Sequence, residues 1–128
     1  MLFILKAINY LYNGIKMIGI DIVEIKRIKK LIENEQNAKK LFFCEELCYA
    51  NEHSCPEVHL AGCFCAKESV VKALGGGFIR DVKVLHYESG KPYVEIFGKT
   101  KELLGNKMIE ISISHTQELA TAICMIVE

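Results

Sequence analysis

The run "MIGIDIV", residues 17–23, is apolar and rich in isoleucine around Gly19, which predicts a strand ending near Asp21. The spacing then changes. In "EIKRIKKLIENE", Ile25, Ile28, Leu31 and Ile32 recur at intervals of three and four, with lysines and Arg27 between them. That is an amphipathic helix over 24–35. A second helical stretch covers about 38–52. Pro56 is placed to open a third, running through "AGCFCAKESVVKAL" to Leu74, where Gly75-Gly76-Gly77 ends it. Beyond the glycines the period becomes two. "VKVLHYE" and "PYVEIFG" flank "SGK" as a hairpin. A short helical piece follows at 99–104, then two further strands, "MIEISIS" and "LATAICMIV", joined through "HTQE". Helices come early and strands late, so the expected fold class is α+β, with N-terminal helices packed on an antiparallel sheet.

At 128 residues and 51% apolar content the chain has the size of one domain with a real core. "MIGIDIVEI" reads as a natural beginning at Met17. Residues 1–16 are therefore taken as an N-terminal extension, of the kind an upstream start site adds, and 17–128 as a single domain. Net charge is zero, which argues against nucleic-acid binding. The charge is uneven, however: residues 1–40 carry eight Lys/Arg and four acids, and the remainder eight and twelve. A basic front end suits an acidic partner. "MLFILKAINYLYNGIK" lacks the basic start and small-residue cleavage site of a secretory signal, and its apolar run is too short to span a bilayer. The expected location is the cytoplasm, with no membrane association. There the six cysteines read as free thiols. A zinc site from Cys44, Cys48, Cys55, His53 and His59 is the rival reading, but it lacks a paired Cys-x-x-Cys knuckle.

Three segments carry candidate chemistry. Glu68 and Lys72 stand one helical turn apart in an otherwise apolar helix. An exposed Glu-x-x-x-Lys pair contributes only a few tenths of a kcal/mol, but charges in apolar surroundings need further partners. The glycine triplet after Lys72 offers backbone N–H groups a close approach to phosphate, although Gly75 alone would serve as a helix stop. Asp21 is an acid in a hydrophobic strand. With Glu68 it would supply two hard oxygen ligands of the kind Mg²⁺ takes beside phosphates and water. Finally, "ISISHT" places Ser112, Ser114, His115 and Thr116 at a strand end, where they could bind an anion at a hairpin mouth.

The ordered set "GIDIVEIKRI", "LAGCFCAKESVVKALGGG", "SGKPYVEI" and "ISISHTQELATAI" resembles the holo-acyl-carrier-protein synthase group of the 4′-phosphopantetheinyl transferases over essentially residues 17–128. The resemblance implies the fold of that superfamily. It implies transfer of the phosphopantetheine arm of coenzyme A to a serine of acyl carrier protein, releasing adenosine 3′,5′-bisphosphate, in fatty acid biosynthesis. Carried over by position, Asp21 and Glu68 would hold Mg²⁺, and Lys72 would neutralise charge on the leaving phosphate. Gly75, Gly77, His115 and Thr116 would contact coenzyme A. Glu68 or a metal-bound water is the candidate base. Arg27 and Lys30, on the basic helix, would dock the acidic carrier protein. The resemblance also implies a homotrimer with coenzyme A bound between subunits.

The chain departs from the family pattern at three places. Cys63 stands where the family has arginine in "GRFAAKE", Gly76 where the glycine turn has threonine, and Phe43 where threonine precedes "EEL". Loss of the arginine removes a cation expected at a nucleotide phosphate. The alternative it motivates is a relative that binds coenzyme A or carrier protein without transfer.

Overall fold

The computed structural model describes residues 1, 2, 4 and 15–128, with the backbone alone at 15 and 16; the proposed extension thus lies largely outside the described residues. The chain runs β1 (Ile15–Glu24), α1 (Ile25–Ile32), α2 (Glu35–Leu41), α3 (Cys44–Asn51), α4 (Pro56–Leu74), a 3₁₀ turn (Ile79–Asp81), β2 (Val82–His86), β3 (Pro92–Ile96), α5 (Gly98–Leu104), β4 (Met108–His115) and β5 (Leu119–Val127). All strand pairs are antiparallel. β1, β5 and β4 form one sheet with β5 in the middle, and β2 with β3 forms a separate hairpin. The α+β class expected from the pattern is the architecture found.

Strand alternation decides what α4 meets. Val23, Ile111, Ala120, Ala122, Cys124 and Ile126 are buried on the inner face of the three-stranded sheet. Leu60, Ala61, Cys65, Ala66, Val70 and Ala73 of α4 join them in one core. The opposite face stays open: Ile18, Ile20 and Ile22 are 57%, 62% and 62% exposed, with Ile123 beside them. The closest helix–strand approach is at Gly19. A Cβ built there would lie 1.9 Å from the Ser69 carbonyl oxygen and 2.6 Å from the Ala73 nitrogen, so β1 rests directly on the backbone of α4.

Three boundaries differ from the sequence expectation. β1 continues past Asp21 to Glu24, because β5 goes on pairing with it through Leu119. The helix expected over 24–35 ends at Ile32. Asn34 turns outward and caps α2, accepting from the N–H groups of Gln36 and Asn37 at 2.9 and 3.2 Å. The stretch 38–52 is two helices, broken where Phe42 and Phe43 adopt extended backbone and Phe42 enters the core.

The second break is fixed by a buried charge. Glu46 accepts the Phe43 N–H at 2.6 Å and the Lys67 ammonium at 2.7 Å on one oxygen. On the other it accepts the Val84 N–H at 2.8 Å and the Cys63 thiol at 3.0 Å. Lys67 also donates to the Val82 carbonyl at 2.8 Å and lies 4.9 Å from the Phe43 ring centroid. Both side chains are withdrawn from water, yet each has a counter-charge and further polar partners, which is what a buried ion requires. This cluster ties α3, α4 and β2 together.

Candidate active site

β1 and α4 meet along Gly19, and that contact places Asp21 beside the last turns of the helix. The Lys72 ammonium donates to Asp21 Oδ1 at 2.9 Å and to the Ile20 carbonyl at 3.1 Å. Thr121 on β5 fixes the same strand position by donating to the Asp21 carbonyl at 2.7 Å. Lys72 is therefore bridged to Asp21 across the fold; Glu68, one turn away on the same helix, acts on it only through space. Hydrogen bonding to Asp21, then the Asp21 charge, raises the Lys72 pKa above the ordinary lysine value, with Glu68 adding to the effect. Lys72 is thus a cation at any physiological pH.

Cys65 marks the middle of the group. Its thiol donates to the Ala120 carbonyl at 3.3 Å. Burial, then the neighbouring Asp21 carboxylate and more weakly Glu68, push its pKa up to about 12. Two carboxylates from separate elements thus act on one thiol, and the Lys72 ammonium acts on it in the opposite sense. The thiol stays protonated and is no nucleophile. The reading of Cys65 as a free thiol packed like a small apolar side chain is what the structure shows; its nearness to Asp21 had no sequence signal. The carboxylates form a hard-oxygen donor set that fits a divalent cation of the Mg²⁺ type. No group of three or more His, Cys, Asp or Glu side chains among the described residues is arranged to hold a metal ion, so the cysteine–histidine zinc arrangement is not assembled.

The hairpin contributes less than "ISISHT" suggested. Ser112 and Ser114 pair with Ile123 and Thr121 and face the outer side of the sheet, away from α4. His115 pairs with Ala120, two residues along β5 from Ala122, the partner of Asp21, and so shares the Asp21 face. The exposed His115 ring lies 3.3 Å from the Thr116 carbonyl through Nδ1. The Thr116 hydroxyl accepts from the Glu118 and Leu119 N–H groups at 3.2 and 3.1 Å, building the turn.

The glycine run is also partly spent on structure. The Gly75 and Gly76 amides donate to the Lys72 and Val71 carbonyls at 3.3 and 3.2 Å, closing α4, and Gly75 takes the left-handed conformation that a helix stop requires. A Cβ on Gly77 would lie 2.7 Å from the Thr100 hydroxyl, which itself accepts the Phe78 N–H. Position 63 faces the core. Its thiol is buried and donates to Glu46 in the interior at 3.0 Å.

The basic residues of α1, Lys26, Arg27, Lys29 and Lys30, are exposed. Lys26 and Lys29 line a groove of about 580 Å³ with Glu57, Gln117, Glu118 and Leu119, next to the His115 turn. Arg27 lines a second, of about 320 Å³, with Ile22, Val23, Glu24 and Leu119.

Residues 17–124 match the profile of the 4′-phosphopantetheinyl transferase superfamily. The chain belongs to that superfamily. A holo-[acyl-carrier-protein] synthase of Caldanaerobacter subterraneus is 40% identical over 118 residues, covering 86% of this chain and 93% of the relative. Its Clostridium botulinum counterpart is 44% identical, covering 88% and 97%. Among solved structures, a Bacillus anthracis holo-(acyl-carrier-protein) synthase in complex with CoA (3′,5′-ADP) superposes with a TM-score of 0.76 at 28% identity, covering 90% of this chain and 98% of that one.

Proposed function

We propose that this phosphopantetheinyl transferase is a holo-acyl-carrier-protein synthase, which moves 4′-phosphopantetheine from coenzyme A to a serine of apo-acyl carrier protein and releases adenosine 3′,5′-bisphosphate. The observation that carries the reading is the convergence of Asp21, Glu68 and Lys72 around Cys65, in a chain closely related to enzymes of that name. Asp21 and Glu68 are the residues that would hold Mg²⁺, which when bound supplies charge neutralisation on the diphosphate. The serine hydroxyl gives up its proton, with Glu68 as candidate acceptor. Its oxygen then bonds to the pantetheine-side phosphorus, and the bond from that phosphorus to the adenosine bisphosphate oxygen breaks. Lys72, a firm cation, neutralises charge on the departing phosphate. His115 and Thr116 approach the same phosphates from the hairpin. Such displacements depend on alignment and electrostatics more than on covalent help from the protein. Arg27 and Lys30 receive the acidic carrier.

The test is carrier modification followed by mass spectrometry. Wild-type protein with coenzyme A, Mg²⁺ and apo-carrier adds one phosphopantetheine. Asp21→Asn and Glu68→Gln each cut the rate by at least about 10³-fold, some 4 kcal/mol of barrier, while circular dichroism stays native. Near-normal rates in either variant refute the assignment of the pair. No mass gain with wild type would instead leave a binder of coenzyme A or carrier.

Self-association belongs to the same reading. The open face bearing Ile18, Ile20, Ile22 and Ile123 is a contiguous apolar surface of the kind that marks an interface, and we infer that it seats neighbouring copies in a homotrimer. Sedimentation velocity should give three times the 14.5 kDa chain mass, and Ile20→Glu should shift it toward one; a wild-type monomer at micromolar concentration refutes the trimer. No helix among the described residues is long and apolar enough to cross a membrane, and all six cysteines are free. The free thiols support operation in a reducing compartment, which we take to be the cytoplasm.

A further inference from the structure

The chain has four histidines, and the fold gathers all of them in one region. Tyr49 of α3 stacks flat on His86 of β2, with ring centroids 4.0 Å apart and planes 4° apart. Its other neighbours are His53, at 4.7 Å, and His59 of α4, edge-on at 5.8 Å. His53 and His59 lie 3.9 Å apart. The fourth, His115, is close enough for its charge to act on His59. Three imidazoles and a phenol thus join the α3–α4 turn to the β2–β3 hairpin.

Charge on both His53 and His59 would repel across the 3.9 Å between their rings. His53 Nδ1 lies 2.8 Å from the Tyr49 carbonyl, so the proton sits on Nδ1 and donates there. Burial, then the proximity of His53 and His115, hold His59 below the ordinary histidine value; burial, then His59 and His53, do the same for His86. The charged groups felt by His59 and His86 are all imidazoles. Of the nearby acids, Glu52 acts on the Cys48 thiol and Glu57 faces the groove with Lys26 and Lys29. A proton arriving on His59 or His86 therefore meets the charge of other imidazoles.

We infer that the Tyr49–His53–His59–His86 cluster is a proton-sensitive clamp, closed when its rings are neutral and loosened by protonation, which sets how firmly the β2–β3 hairpin is held to the α3–α4 turn. The sign follows from linkage. His59 and His86 bind protons more weakly in the folded than in the unfolded chain, so their contribution to stability is complete above about pH 6.5 and is lost as pH falls through their depressed folded values. The clamp is independent of the transferase reading, since none of its rings is placed in the transfer chemistry; His115 stands at its edge.

Two measurements on the full-length protein test it. In a proton NMR titration of the histidine Cε1–H resonances, His59 and His86 should titrate below pH 6.5, and His86 should move up toward it in His59→Phe. Thermal unfolding at pH 7.5 and 5.5 should show a wild-type midpoint that falls by several °C more than that of His59→Phe/His86→Phe, in which the aromatic packing is kept and the charge is lost. If the double variant does not fold, the wild-type titration decides alone. Ordinary midpoints for both rings, unmoved by the neighbouring substitution, overturn the clamp, as does a parallel fall in the two melting temperatures.

Discussion

Lys67→Met is expected to cost about 3–5 kcal/mol of folding stability, the usual penalty for removing one partner of a buried ion pair. Glu46 and Lys67 are 2.7 Å apart with 1% and 0% of their side chains exposed. Taking the ammonium away leaves the carboxylate with the Phe43 and Val84 N–H groups and the Cys63 thiol. These satisfy its lone pairs but supply no counter-charge. The Val82 carbonyl loses its partner as well. Against a total of 5–15 kcal/mol for an ordinary domain, the variant is marginal. Glu46→Gln/Lys67→Met removes both charges and should recover part of the loss, although the single amide oxygen can accept from only one of the Phe43 and Val84 N–H groups, which bond different carboxylate oxygens. Urea unfolding of the four proteins measures the coupling. A single Lys67→Met variant within about 1 kcal/mol of wild type would show that the pair holds nothing together.

That cluster also shows where sequence reading stops. The helix from Pro56 to Leu74, the "SGK" hairpin and the terminal strand pair were legible, because period and punctuation are local properties of the chain. The breaks after Ile32 and Leu41 were not. The first depends on Asn34 preferring a cap to a helix interior, the second on Phe42 finding a place in the core, and both are decided by what the rest of the fold offers. Lys67 interrupts an apolar run in the sequence; its meaning is Glu46, 21 residues away, which no spacing rule predicts. Asp21, Glu68 and Lys72 were legible as chemistry, but their arrangement was not. The i, i+4 spacing pointed Lys72 at Glu68, whereas the ammonium reaches across to Asp21, 51 residues earlier. Alternation along β4 was available from the start and already separates Ser112 and Ser114 from His115. The histidine cluster was legible only as the nearness of His53 and His59 along the chain, which reads as part of a zinc site; Tyr49 and His86 join them from another helix and a strand.

Gly19→Ala is expected to be the most damaging change of a single methyl group in the chain. The added carbon would sit 1.9 Å from the Ser69 carbonyl oxygen and 2.6 Å from the Ala73 nitrogen, and both obstacles are backbone. Neither side yields cheaply. β1 is paired to β5 at Ile18, Gly19 and Ile20, and α4 is a 19-residue helix packed on the same sheet. Helix and strand must part, opening the core along Val70 and Ala73, at a cost near or above the upper end of the 1–3 kcal/mol usual for overpacking. The separation also lifts Asp21 away from Lys72 and Cys65, so transfer activity should drop by far more than the unfolded fraction explains. The Cys65 thiol, held protonated at that contact, should become reactive toward an aromatic disulfide reagent. Gly75→Ala is the comparison that isolates the cause. Gly75 has φ 69° but nothing within 4 Å of an added carbon, so it carries backbone strain of about 1–2 kcal/mol and no clash. If Gly19→Ala proves no less stable than Gly75→Ala and keeps its rate of carrier modification, the close approach of β1 to α4 is not what positions the acids.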